Sequence, residues 1–191
     1  MPKKTNLLGN LVLPTCQILI LLILFFTQDT FRTQPIPSSS YVTLTPESKI
    51  LFGLSQTGSS ALLEGWSSIE EWGVWSEKAI ASMAFQVQAR DLKMYTIRMS
   101  VNYLYVGYSD GFKYSIFIND KKYSDEIVTT MSTENFIQIN LSSIATSDNF
   151  STLIRFEFKT LSSPKSLGVS GDMRLLGIGI KSVELVSSPK M

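Results

Sequence analysis

This sequence predicts an all-β fold, an antiparallel β-sandwich of jelly-roll type, preceded by one N-terminal transmembrane helix. Three observations predict it. An uncharged apolar run lies near the amino end, apolar residues recur at every second position through the remainder, and turn residues separate those alternating stretches.

The elements follow in order. Residues 1–6 begin "MPKK", a short basic segment that places the amino end in the cytoplasm. Residues 7–27 read as a signal anchor. Leu7 to Phe26 carries no charge and ends in "ILILLILFF", a length suited to a bilayer core of about 30 Å. "TQDTFRTQPIPSSS" follows without the small-residue pattern that signal cleavage needs, which favours retention. The anchor implies a single-pass membrane protein with its carboxyl-terminal domain extracytoplasmic, which for a bacterial source is the inner membrane, facing the periplasm. Residues 28–42, with "RTQPIPSSS" at Arg32 to Ser40, form an extended linker of prolines and serines.

Residues 43–188 form the sandwich. In "ASMAFQVQ" Ala81, Met83, Phe85 and Val87 share one face. In "MYTIRMSVNYLYV" Tyr95, Ile97, Met99, Val101 and Tyr103 do so against Thr96, Arg98, Ser100 and Asn102. "KYSIFIND", "FIQINL" and "TLIRFEFKTL" repeat the period, and "RLLGIGIKSVELV" closes with a strongly apolar run. "YSDG", "INDKK" and "SSPKS" are turn signals between them.

Composition narrows the chemistry. Apolar residues make up 44% and charged residues 17%, a globular balance. Histidine is absent, which removes Ser-His-Asp and Cys-His catalysis within this chain. The single cysteine, Cys16, lies in the membrane segment, so neither a disulfide within the chain nor a thiolate metal site is expected. No cofactor or metal is implied. With 17 basic and 16 acidic side chains and no basic cluster beyond "KK" pairs, nucleic acid is not an expected partner.

Two stretches stand out. "GWSSIEEWGVWSE" holds all three tryptophans, Trp66, Trp72 and Trp75. Aromatic faces among carboxylates and hydroxyls are what a pyranose needs, with Glu64, Glu70, Glu71, Ser67 and Ser76 near in sequence. Against this, tryptophan is usually largely buried, and the expectation is two rings mainly in the core and at most one at the surface. "SLGVSGDMRLLGIGI" alternates glycine with large aliphatics. Glycine in a strand marks a bulge or a close approach. Asp172 and Arg174 are placed to pair with each other or with a motif glutamate, more as a structural clasp than as ligand contacts. Glu70 and Glu71 are adjacent, so they point to opposite faces of a strand and do not form a hydrolytic pair.

The ordered pair of motifs resembles a bacterial domain of unknown function, found at the extracytoplasmic carboxyl end of membrane glycosyltransferases and phosphoglycerol-transferase-like proteins. The resemblance covers roughly Ile50 to Val186 and rests on Gly65, Trp66, Ser67, Glu71, Trp72, Gly73, Trp75 and Ser76. In the second motif it rests on Leu167, Gly168, Ser170, Asp172, Arg174, Leu176, Gly177 and Gly179. It implies a sandwich related in shape to carbohydrate-binding modules and an envelope-glycan setting, without a catalytic mechanism. The family carries the domain behind a multi-span catalytic region, where this chain has one apolar run.

Three functions stay open. The first is a glycan-binding accessory of surface polysaccharide synthesis or modification, with Trp66, Glu71, Trp72, Trp75, Asp172 and Arg174 as candidate contacts. Gly65, Ser67, Gly73, Ser76, Gly168, Ser170, Gly177 and Gly179 would then be structural. The second is a non-catalytic module that docks on a membrane glycosyltransferase. The third is a carboxylate-dependent glycan-modifying enzyme. The expected partners are the bilayer, an envelope glycan and a membrane glycosyltransferase.

Overall fold

A computed structural model describes residues 41–103, 111–130, 132, 134–145 and 147–188. The expected anchor and all but the end of the linker lie outside these residues. Among the described residues no helix is long and apolar enough to cross a membrane.

The described chain is built of strands: β1 (Val42–Leu44), β2 (Lys49–Leu51), β3 (Val74–Trp75), β4 (Ile80–Gln88), β5 (Tyr95–Tyr103), β6 (Phe112–Ile118), β7 (Lys121–Val128), β8 (Asn135–Asn140), β9 (Asn149–Phe158) and β10 (Ile178–Ser187). Three short 3-10 turns interrupt them at Thr57–Ala61, Leu92–Met94 and Leu141–Ser143. One sheet has the order β1-β4-β9-β6-β7 and the other β2-β10-β5-β8. β3 pairs with β10 on the edge that β2 occupies further along.

Period-two alternation decides which faces meet. In β5, Ile97, Met99 and Val101 are buried, and they join Met83, Phe85, Ile154 and Phe156 of the first sheet in one core. Tyr103, Phe112, Tyr114, Phe156 and Phe158 pack ring on ring there, with Phe112 stacked on Phe158 at 5.9 Å. The Tyr103 and Tyr114 hydroxyls satisfy each other at 3.1 Å, and burial pushes both phenols above their ordinary range.

The pairing is antiparallel with one exception. β1 runs parallel to β4, Val42 opposite Phe85. Between these strands the chain visits the second sheet through β2 and β3, so no tight hairpin forces them antiparallel. β7 stands at a place read from sequence only as a turn followed by charges. Its side chains are exposed or half-buried because it forms the outer edge of its sheet.

Candidate functional site

The tryptophan motif folds as a small hairpin. The Ser67 N–H donates to the Trp75 carbonyl at 2.8 Å, the Glu77 N–H donates to the Gly65 carbonyl at 2.8 Å, and Trp66 bridges Ser76. At the tip, the Glu70 N–H donates to the Gly73 carbonyl, closing a tight turn. Gly65 has φ +80°, and a Cβ there would lie 2.0 Å from the Ile80 carbonyl oxygen, so both conformation and space require glycine. The Ser67 hydroxyl accepts from the Trp75 N–H and donates to the Ser68 carbonyl, locking the hairpin from within. Gly73 lies against β10, its missing Cβ 2.3 Å from the Ile180 oxygen.

The hairpin then attaches to β10. The fully buried Ser76 accepts the Ile178 N–H at its hydroxyl, 2.9 Å, and its backbone bonds Gly177 and Ile178. A Cβ on Gly177 would lie 2.6 Å from that hydroxyl. Ile178 and Ile180 are buried in the core, so Gly179 between them turns its missing side chain to the outer face of the second sheet. A Cβ there would meet Trp72 Cη2 at 2.5 Å and Trp75 Cε3 at 3.0 Å. Both rings therefore lie on that outer face, on the floor that glycine leaves open.

The three rings thus separate. Trp66 packs against the core, edge-on to Phe156 at 6.3 Å, and its indole N–H donates to the Ser82 carbonyl at 2.6 Å. Trp72 and Trp75 are half-buried and pack on each other at 69°, with centroids 5.1 Å apart. Trp66 is half-buried as well, so one ring rather than the expected two packs against the core, and none is fully exposed. The expectation treated burial as a property of residue type, whereas Gly179 provides a place for two rings outside the core.

Charges hold Trp72 in place. The Trp72 indole N–H donates to Glu70 Oε2 at 2.7 Å, and Glu70 Oε1 accepts from Arg174 Nη1 and Nη2 at 3.1 and 3.0 Å. Arg174 also donates to Asp172, from Nη2 at 2.7 Å and from Nε at 2.9 Å, and lies 3.5 Å from Glu77. Side-chain and backbone hydrogen bonds from Arg174 hold the Asp172 carboxyl below the usual carboxylate range, and the same contacts push the guanidinium up.

The expected clasp between Asp172, Arg174 and a motif glutamate is present. The glutamate is Glu70, with Glu77 behind it. Glu71 is exposed and takes no part in the clasp, because the turn of residues 70–73 directs its neighbour to Arg174. Ser170 accepts the Asp172 N–H at 3.3 Å, and Gly168, at φ +71°, ends the turn that leads into this loop. The sequence pointed to a motif glutamate without singling out Glu70, and Glu71 was the candidate contact instead. Nothing in the sequence signalled Glu77.

No protein-family model matches the chain, and no curated protein matches it.

Proposed function

We propose that this chain is a membrane-anchored extracytoplasmic module of jelly-roll-like, carbohydrate-binding-module-like form. It binds envelope glycan as an accessory to surface polysaccharide synthesis or modification. One observation carries this reading. Trp72 and Trp75 stand side by side on the outer face of a sheet, over a glycine, with the Trp72 ring oriented by Glu70, itself held by Arg174. Two preorganised rings edged by carboxylates and a guanidinium offer a sugar both an apolar face and hydroxyl partners. Trp66 belongs to the scaffold in this reading.

The test is tryptophan emission of the full chain in mild detergent, with iodide quenching and titration by envelope oligosaccharides. Binding shifts the emission saturably, and Trp72→Ala and Trp75→Ala abolish the shift while Trp66→Phe retains it. A chain whose emission ignores every oligosaccharide refutes the reading.

A second reading has its own observation. Val169, Met173 and Leu175 are exposed at 54%, 70% and 55% on the loop that carries Arg174. Leu54, also exposed, is tied to the same corner by its N–H bond to the Glu70 carbonyl. Apolar side chains around an ion-pair clasp suit docking on a membrane glycosyltransferase. Co-purification with such a partner, lost in Met173→Asp, supports docking.

A further inference from the structure

The outer face that carries Trp72 and Trp75 continues into a cleft of about 330 Å³. That is at the small end of ligand sites, which span about 300–1,000 Å³. Four strands line it: Lys49 from β2, Lys181 and Glu184 from β10, Arg98 and Ser100 from β5, and Phe136 from β8. Register explains their meeting. Lys49, Glu184 and Arg98 stand in one row across three strands, and Phe136 stands opposite Ser100. A bulge between Ile180 and Ser182 shifts the phase of β10, so that Lys181 and Glu184 both reach the outer side while Ile180 and Val183 stay in the core.

The charges in the cleft are unevenly matched. Arg98 donates to Glu184 Oε1 from Nε at 3.1 Å and from Nη2 at 2.9 Å, and its guanidinium lies 5.2 Å from the Phe136 ring centroid. Carboxylate and ring together fix the guanidinium while Nη1 keeps no protein partner among the described residues. Glu184 is neutralised by this pair. Lys49 and Lys181 have no ion pair among the described residues, and of the lining side chains only Glu134 adds a further negative charge. A fixed guanidinium edge beside two ammonium groups that have no ion pair among the described residues is a receptor for a planar anion.

We infer that this cleft takes the carboxylate of a uronate residue within an acidic glycan, a reading that rests on glycan binding at Trp72 and Trp75. The two places lie on one face along one strand. Asn102, opposite Gly179, is four residues from Arg98, about 13 Å at 3.3–3.4 Å per residue. A saccharide laid along β5 spans both, its rings on the tryptophans and its carboxylate at Arg98, Lys49 and Lys181.

The experiment is calorimetric titration of the full chain in mild detergent with oligogalacturonate and oligoglucuronate, their carboxyl-reduced neutral counterparts and inorganic phosphate. The expected result is binding of a uronate oligomer at least about tenfold tighter than of its neutral counterpart, weakening as salt rises. Lys181→Gln and Arg98→Gln each weaken the uronate about tenfold and leave the neutral oligomer unchanged. Lys181 has no ion pair to lose among the described residues, so an unchanged urea midpoint in Lys181→Gln separates binding from folding. Equal affinity for acidic and neutral oligomers overturns the uronate assignment and leaves the glycan reading standing. Silence toward both kinds of oligomer overturns the two together. Phosphate that displaces the uronate oligomer at equal concentration shows a simple anion site and overturns the assignment as well.

Discussion

Gly179→Ala tests the placement of the tryptophan pair most directly. The added Cβ would lie 2.5 Å from Trp72 Cη2 and 3.0 Å from Trp75 Cε3, inside any normal contact with the first ring and tight against the second. Overpacking of this kind costs about 1–3 kcal/mol. Displacing Trp72 also forfeits the ring pair, about 0.5–1.5 kcal/mol. Against this, alanine restricts the unfolded chain and returns about 0.4–1 kcal/mol. The net expectation is a loss of roughly 1–2 kcal/mol, kept at the lower end because the tip of a half-exposed ring can swing outward. Urea unfolding of the full chain, followed by tryptophan emission, measures it. The midpoint falls with an unchanged slope, and the native emission moves to the red as Trp72 leaves Gly179. A variant as stable as the parent, with the parent's spectrum, would refute the claim that the rings rest on this glycine. Gly65→Ala is the internal comparison. Its Cβ meets a backbone oxygen at 2.0 Å with φ at +80°, so neither relief is open and the loss is larger.

Three further outcomes follow from the same geometry. Ser76→Ala leaves the Ile178 N–H without its acceptor at a buried site, a loss of about 1–3 kcal/mol by urea titration, while Ser67→Ala, nearer solvent, loses less. Asp172 has a folded pKa below its unfolded one, so its stabilising contribution is full above the unfolded value, about 4, and is lost as pH falls through the folded value. Thermal midpoints between pH 6 and pH 2 show this loss, and Arg174→Gln, which removes the guanidinium bonds but keeps the backbone one, flattens most of that part of the profile. Tyr103 and Tyr114 have folded pKa values raised above the ordinary value of about 10. Their contribution is therefore intact below that pH and falls as pH rises past it. Their tyrosinate absorbance arises together with unfolding, and tyrosinate signal from both in the folded chain would contradict their burial.

What was legible in the sequence follows from which contacts are local. β5, β8 and β9 announce themselves because each buries one face, so the apolar period is written along the strand itself, and β4, β6 and β10 do so through their apolar content. β7 does not, since an edge strand with both faces partly wet carries Lys121, Lys122, Asp125 and Glu126 without penalty. The glycines at positions 177 and 179 were legible as points of close approach, but not what approaches them. The partners of Gly179 lie about a hundred residues earlier, on a hairpin whose register is set by the Ser67 and Ser76 hydroxyls.

The same logic separates the two parts of the outer face. Trp72, Trp75 and Arg174 stand in conspicuous motifs, whereas Lys49, Arg98, Phe136 and Lys181 look like ordinary polar-face residues of four unrelated strands. The carboxylate that fixes Arg98 among them, Glu184, reaches this face through one bulge. Without the extra residue at Lys181, the strict alternation through Ile178 and Ile180 would send Glu184 to the core face and Val183 to solvent. A bulge is a property of the paired sheet and has no one-strand signature. A binding surface assembled by register is thus the part of this protein that reading along the chain finds last.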